Sequence, residues 1–287
     1  MSFAQTVLLG ALAGATIYLG LPVGRMRLLG SRSRVALAMF AVGVLAFIFV
    51  DVLSHGLGIL SAAERAFKHG HESFFYLAWL VILLALGFGG GSAGLAMIQR
   101  RMRPLGALRP PIAGGAGAAA IAAAEPDVVA LELEATRRRA LRTGLTIAGA
   151  IGVHNFAEGL AIGVSARAGE ISLATVLIVG FALHNATEGF GIVGPLGDVR
   201  PSWRWLGLAG LIGGGPTFIG SIVGYEVTSN ALELAFYAMA GGAILYVIGE
   251  VWNGMRRFGY RELELMMLTA GFLVGVLTDL VVSYGGG

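Results

Sequence analysis

The sequence predicts an all-α integral membrane protein that crosses the bilayer eight times. Of its 287 residues, 56% are hydrophobic and 13% are charged, and the mean hydropathy is +0.79. A soluble domain usually has about a quarter of its residues charged. The 46 glycines favour close helix–helix contacts in lipid over a soluble core. Because the chain contains no cysteine, disulfides, thiolate metal sites and cysteine nucleophiles are excluded.

Eight apolar runs are each long enough to span a bilayer, which takes roughly 20 residues. The first run has no basic segment before it and no convincing cleavage site, so we expect a membrane helix rather than a signal peptide. Together the runs are predicted to form a single transmembrane domain of residues 1–287. In chain order they cover residues 5–24, 34–55, 73–97, 141–165, 171–195, 203–224, 231–252 and 264–284.

Residues 98–140 form the long connection between spans three and four. They contain an Ala/Gly/Pro stretch from Pro110 to Ala124 that is too short and too weakly hydrophobic to span a membrane. We therefore predict a flexible loop, followed by an amphiphilic segment from Leu131 to Arg142 that leads into span four.

Basic residues are concentrated on one side of this predicted topology. The connections after spans one, three, five and seven share a side and hold all but three of the 20 Lys and Arg residues; the exceptions are Arg65, Lys68 and Arg167. The positive-inside rule then puts the long loop in the cytoplasm and both termini outside, in a multi-pass protein of a bacterial inner membrane. Since topology explains the arginines, the pI near 9.5 does not indicate a nucleic-acid partner.

The fourth and fifth spans carry the same polar motif. Residues 154–159 read HNFAEG and residues 184–189 read HNATEG. In each motif the His and the Glu are four residues apart and share one helix face. Because a short connection makes the two helices antiparallel, we expect His154 level with Glu188 and Glu158 level with His184. This pairing predicts that the four side chains converge on one point. Charged groups at membrane depth are costly and mark functional sites.

Imidazole nitrogens and carboxylate oxygens suit Zn²⁺, Fe²⁺, Mn²⁺, Co²⁺ or Ni²⁺ better than soft Cu(I). Asn155 and Asn185 would add neutral oxygen donors or hydrogen bonds that orient the ligands. The alternative is that two interhelical His–Glu hydrogen bonds merely hold the helices together. Two matching pairs at one depth favour a metal site.

Other polar residues suggest a path to and from this site. Asp51 and His55 lie four residues apart near the outer end of span two, and Glu250 lies near the inner end of span seven. Glu250 is read either as an exit ligand or as an interfacial carboxylate that reaches the surface. The remaining histidines, His69 and His71, fall in the external loop. This gradient suggests capture outside and delivery inward.

The two motifs resemble those of the ZIP (Zrt/Irt-like) family of divalent metal-ion transporters, and residues 154–163, HNFAEGLAIG, carry the stronger match. The resemblance covers essentially the whole chain, including the eight spans and the long loop. It implies a prokaryotic member with a 3+2+3 helix bundle that moves zinc, or Fe, Mn, Co or Cd, inward as substrate without a prosthetic group. It assigns the principal site to His154, Glu158, His184 and Glu188, and a second, adjacent metal position to Asn155 and Asn185.

Departures from the family pattern indicate one ion at a time. Many relatives have aspartate where Asn185 stands, and a glutamate before Pro216 where this chain has Gly215. Each change removes a carboxylate, and two close cations need negative charge to offset their repulsion. Relatives also often have proline where Ala157 and Thr187 stand, so the usual helix kinks are not expected here.

The resulting hypothesis is a carrier that exposes one midplane site alternately to each side of the membrane. It is not expected to be an enzyme, and it contains no nucleotide-binding motif. One alternative is a metal-selective channel of the same fold. Another is an intramembrane metal-dependent hydrolase, which would need an activated water and a base beyond the presumed ligands. Expected partners are divalent metal ions and the lipid bilayer, and the glycine-rich helix faces permit a homodimer.

Overall fold

Helices joined by short turns make up the described part of the chain. The computed structural model describes residues 1–26, 30–102, 126–167, 184–226 and 229–285, and no β-strand occurs among them. The helices are α1 (Phe3–Ala15), α2 (Ile17–Gly20), α3 (Ser31–Lys68), α4 (Phe74–Gly89), α5 (Leu95–Met102), α6 (Pro126–Arg167), α7 (184–193), α8 (Trp203–Glu226), α9 (Asn230–Arg256) and α10 (Arg261–Gly285). Short 3₁₀ turns follow α2 and α7, and a π-helical turn, Gly90–Gly94, joins α4 to α5.

Seven stretches of these described helices are long and apolar enough to cross a membrane, which agrees with the predicted multi-pass, helical membrane class for the described part of the chain. They correspond to seven of the predicted spans. The predicted fifth span, 171–195, lies mostly outside the described residues, since the structure describes only 184–195 of it. The count of eight and the external position of both termini stay predictions. The stretches are Phe3–Arg25, Ser31–Lys68, Phe74–Arg101, Ala130–Arg167, Trp203–Glu226, Asn230–Arg256 and Arg261–Val281.

Helix α3 is much longer than the span predicted for it at residues 34–55. It continues without a break to Lys68 because no proline interrupts it and good helix formers follow Gly58. The helix ends at Lys68, and Gly70 two residues later has a φ of 77°, which allows the amide of His71 to bond back to the carbonyl of Ala66. His55 therefore lies inside a helix rather than close to its end.

Helix also occupies both ends of the predicted loop 98–140. Helix α5 runs to Met102, and α6 begins at Pro126, a residue suited to the first helical turn because its missing N–H has no partner there. Residues 103–125, which include the Ala/Gly/Pro stretch, lie outside the described residues. Helix α6 is unbroken through Ala157, as expected from the absence of proline at that position.

The described helices pack as two groups. In the first group, α6 packs along α8, α1 packs on α8, and α7 lies against α1 and α2. In the second group, α3 packs on α9 and α10, and α4 packs on α9. Two contacts join the groups: α6 packs on α9, and the 3₁₀ turn after α7 contacts α3 and α9.

Glycines set the separation of the helices within each group. A Cβ added at Gly159 of α6 would clash with the carbonyl oxygen of Thr217 in α8, and one at Gly220 would clash with that of Phe156. In the second group, a Cβ at Gly43 of α3 would clash with the carbonyl oxygen of Leu268 in α10. Backbones therefore touch directly, as small residues allow in membrane helices.

Candidate metal centre

Helix α6 positions the first half of the site. His154 and Glu158 lie one helical turn apart, and His154 Nε2 is 2.9 Å from Glu158 Oε1. Both side chains are buried in the interior of the first helix group. Beside Glu158, the close contact of Gly159 with α8 leaves no room for lipid or water between these two helices.

Helix α7 brings the second half from the opposite direction. His184 Nε2 lies 2.5 Å from Glu158 Oε1, and Glu188 Oε1 lies 3.6 Å from His154 Nε2. The predicted cross-level pairing of the two motifs is therefore confirmed. Both imidazoles approach the same oxygen of Glu158, which makes Glu158 the centre of the cluster.

Three of the four predicted donors form a tight group and the fourth lies at its edge. One ligand atom each from His154, Glu158 and His184 lies within 4.8 Å of the other two, a spacing that could hold a metal ion. Glu188 contacts this group through His154, and its second oxygen accepts a hydrogen bond from Asn155. His184 has the most exposed side chain of the four, at 13%, whereas the other three are at most 4% exposed.

The two asparagines of the motifs make different contacts. The Nδ2 amide of Asn155 donates to Glu188 Oε2 at 3.1 Å and to the carbonyl oxygen of Gly213 at 3.0 Å. Asn155 therefore fixes the orientation of the Glu188 carboxylate. The Nδ2 amide of Asn185 donates instead to the carbonyl oxygen of Ala13 at 3.0 Å and ties α7 to α1.

Several buried polar atoms of the site have no hydrogen-bond partner among the described residues. An unpartnered buried polar atom is costly in protein interiors, and a bound ligand commonly supplies the missing interaction. Most of these atoms are oxygens that a hard or borderline cation accepts as ligands. They are His154 Nδ1, Asn155 Oδ1, Glu158 Oε2, Asn185 Oδ1 and Glu188 Oε1.

Helix α8 contributes a wall that the motifs do not reveal. The hydrogen bond from Asn155 to Gly213 brings the stretch Gly213 to Pro216 to the site. Thr217 follows directly, is fully buried, and has a hydroxyl oxygen without a partner in the described part of the chain. The sequence analysis did not single out this buried hydroxyl residue of α8, although its position directly after a proline inside an apolar span was an available signal.

The residues predicted along the path lie on other helices than this cluster, although the carboxylate of Asp51 is close enough to interact electrostatically with His154. On α3, His55 Nδ1 is 3.6 Å from Asp51 Oδ1, and the two side chains are 60% and 41% exposed. Glu250 on α9 accepts a hydrogen bond from Gln99 Nε2 of α5 at 3.0 Å. Within the described residues, no hydrogen bond or ion pair links these three to the four motif residues.

The family comparison covers the helices that build this site. A sequence profile described as "ZIP Zinc transporter" matches residues 130–278, just over half of the chain, and includes both motifs. The chain belongs to the ZIP family. The resemblance read from the two motifs is thereby confirmed.

One curated relative is similar in sequence to about half of this chain. "Zinc transporter ZupT" from Clostridium perfringens (strain 13 / Type A) is 34% identical over 143 residues, which are 47% of this chain and 48% of that protein. The chain thus spans about half the length of the curated relative it matches.

Proposed function

We propose that this ZIP-family chain carries divalent transition-metal ions, zinc foremost, inward across a bacterial cytoplasmic membrane. The observation that carries the proposal is the convergence of His154, Glu158 and His184 inside the helix bundle, with ligand atoms within 4.8 Å of one another. Family membership and the name of the Clostridium relative support zinc as the first substrate to test. Iron, manganese, cobalt and cadmium suit the same donors.

In this proposal the motif residues have distinct roles. His154, Glu158 and His184 are the primary ligands, and Glu188 completes the coordination from the far side of His154. Asn155 orients Glu188. Asn185 is committed through its amide to α1, so it is a poor substitute for the carboxylate that a second cation would need. The site therefore holds one ion at a time.

The packing supports a carrier in which one helix group moves against the other. Glycine contacts that bring backbones together lie within each group, as at Gly159 against α8 and Gly43 against α10. In the part of the chain that the structure describes, no such glycine contact joins α6 to α9. There the contact is made by side chains, such as the rings of Phe156 and Phe236 at 4.8 Å. Side chains can repack during sliding more readily than touching backbones can separate.

Asp51 and His55 are proposed to act on the outer path and Glu250 on the inner path. The exposed Asp51–His55 pair offers a carboxylate and an imidazole where ions arrive from solution. Glu250, held by Gln99, offers a carboxylate at the other end of the second helix group. Neither pair encloses a site of its own, which suits transient contacts along a path.

Zinc uptake into proteoliposomes tests the proposal. Glu158→Gln keeps the size of the side chain and removes its charge, and we expect uptake to fall to the level of empty liposomes. Glu132→Gln is the matched control because Glu132 lies exposed on the same helix, and we expect it to leave uptake unchanged. Undiminished uptake by Glu158→Gln would refute the site assignment.

The same vesicles separate the alternatives. A carrier gives saturable flux with a strong temperature dependence, whereas a metal-selective channel gives current that follows voltage linearly. A hydrolase would turn over lipid or peptide without metal flux. The touching backbones within each helix group and the side-chain contact between groups favour the carrier.

A further inference from the structure

A cavity of about 630 Å³ lies away from the metal centre, between the end of α9 and the start of α10. Its lining includes Gly249, Trp252 and Arg256 from α9, and Arg261, Glu264 and Leu265 from α10. A Cβ added at Gly249 would meet no atom within 4 Å, so this glycine leaves the cavity open from the α9 side.

Glu264 is the buried polar group of this cavity. The residue is only 4% exposed, and its Oε1 is enclosed without a hydrogen-bond partner. Among the described residues, no ion pair or hydrogen bond to its carboxylate occurs. An enclosed carboxylate oxygen that lacks a donor is costly, because burial removes water from that atom. A ligand with N–H donors and a positive charge would therefore stabilise the Glu264 carboxylate.

Two exposed arginines at the same cavity supply the opposite charge. Arg256 and Arg261 line it, and neither makes an ion pair with any described residue. The cavity thus combines a buried anion with two cations at its rim. The complementary ligand is a zwitterion, with an ammonium group for the carboxylate and a phosphate for the guanidinium groups.

The position of the cavity selects a lipid as the source of this chemistry. The candidate spans Asn230–Arg256 and Arg261–Val281 end and begin at this level, which puts the cavity at a membrane surface whichever side it faces. Exposed Leu245 lies one turn from Gly249 toward the membrane interior, and Leu265 lies beside Glu264. These side chains continue from the polar cavity as an apolar surface suited to acyl chains.

We propose that this cavity binds a phospholipid whose head group carries a primary ammonium, as in phosphatidylethanolamine. The ammonium donates to Glu264, and the phosphate lies between Arg256 and Arg261. A primary ammonium has three N–H donors, whereas a choline head group has none and is bulkier. The site therefore discriminates between two lipids that share the same phosphate and chains.

Native mass spectrometry of the full chain in detergent tests the proposal. We expect phosphatidylethanolamine to bind at least about tenfold more tightly than phosphatidylcholine with the same chains, the factor that a charge-assisted hydrogen bond supplies. Equal binding of the two lipids by the wild type would overturn the proposal without any variant.

Three variants identify the residues. Glu264→Gln is expected to abolish the preference for the amine, and Glu262→Gln, on an exposed residue of the same turn, is expected to retain it. Gly249→Leu fills the cavity, and we expect it to lower the affinity for both lipids by about tenfold. A Glu264→Gln protein that still prefers the amine lipid, or a Gly249→Leu protein that binds both lipids as the wild type does, would overturn the assignment.

Soluble phosphoethanolamine distinguishes a lipid from a free head group. We expect it to compete with the lipid about a hundredfold less effectively on a concentration basis, because it lacks the acyl chains that contact the apolar surface. Equal potency would show that the ligand is a soluble zwitterion and would overturn the lipid assignment.

Discussion

Replacing Asn155 with alanine removes two hydrogen bonds at the metal centre without removing a proposed ligand. The Asn155 amide donates to Glu188 Oε2 at 3.1 Å and to the Gly213 carbonyl at 3.0 Å, and both bonds are buried. A hydrogen bond to a charged group contributes about 1.5–3 kcal/mol in soluble proteins. Polar contacts between membrane helices average only about 0.6 kcal/mol and reach about 1.7. We therefore expect a cost of about 1–2 kcal/mol in zinc binding, which is about 5- to 30-fold in affinity.

Zinc competition with a fluorescent chelator measures this affinity on purified protein. Asn230→Ala is the matched control because Asn230 is exposed at the start of α9. The zinc affinity of this variant should equal that of the wild type. The melting temperature of Asn155→Ala shows whether the loss is confined to the site. An affinity within twofold of the wild type would refute the reasoning that Asn155 holds Glu188 in position for the metal.

Three further predictions concern packing and stoichiometry. Gly159→Ala should destabilise the protein by about 1–3 kcal/mol, because the added Cβ would clash with the Thr217 carbonyl. The control Gly149→Ala has open space around its Cβ and should leave the melting temperature unchanged or slightly raised. Thr217→Val should raise stability by about 1 kcal/mol, since it removes a buried hydroxyl that has no partner among the described residues; a lower melting temperature would contradict this. Elemental analysis of purified, zinc-loaded protein should give one ion per chain, because the amide of Asn185 is bonded to α1 and Gly215 has no side chain; two ions would refute the single-ion proposal.

The centre of the site was predictable because its geometry follows from local rules. His and Glu four residues apart must share a helix face, and a short connection must make neighbouring helices antiparallel. These two facts were enough to predict that Glu158 would meet His184 and that His154 would meet Glu188. No long-range information was needed.

The roles of the asparagines could not be predicted because their partners are distant in sequence. Asn155 bonds to Gly213, and Asn185 bonds to Ala13, across helix contacts that depend on which glycines face each other. The tight grouping of three donors, with Glu188 at the edge, likewise depends on the separation of α6 and α7. A motif fixes the face on which a side chain lies but not the distance between two helices.

The length of α3 and the burial of Glu264 show two limits of counting apolar residues. A hydrophobic run ends where polar residues begin, but the helix continues to Lys68 because no proline stops it. Glu264 marked only the start of span eight in the sequence. Its burial without a partner depends on how the end of α9 meets the start of α10, which hydropathy does not encode.

X-ray absorption spectroscopy at the zinc edge of the zinc-loaded chain identifies the ligands of the bound ion. For the proposed site we expect two imidazole ligands at about 2.0–2.1 Å together with carboxylate oxygens, and the loss of one imidazole in His154→Ala. An imidazole count that does not change in His154→Ala would contradict the proposed site, because the bound zinc would then lie on other histidines such as His69 and His71.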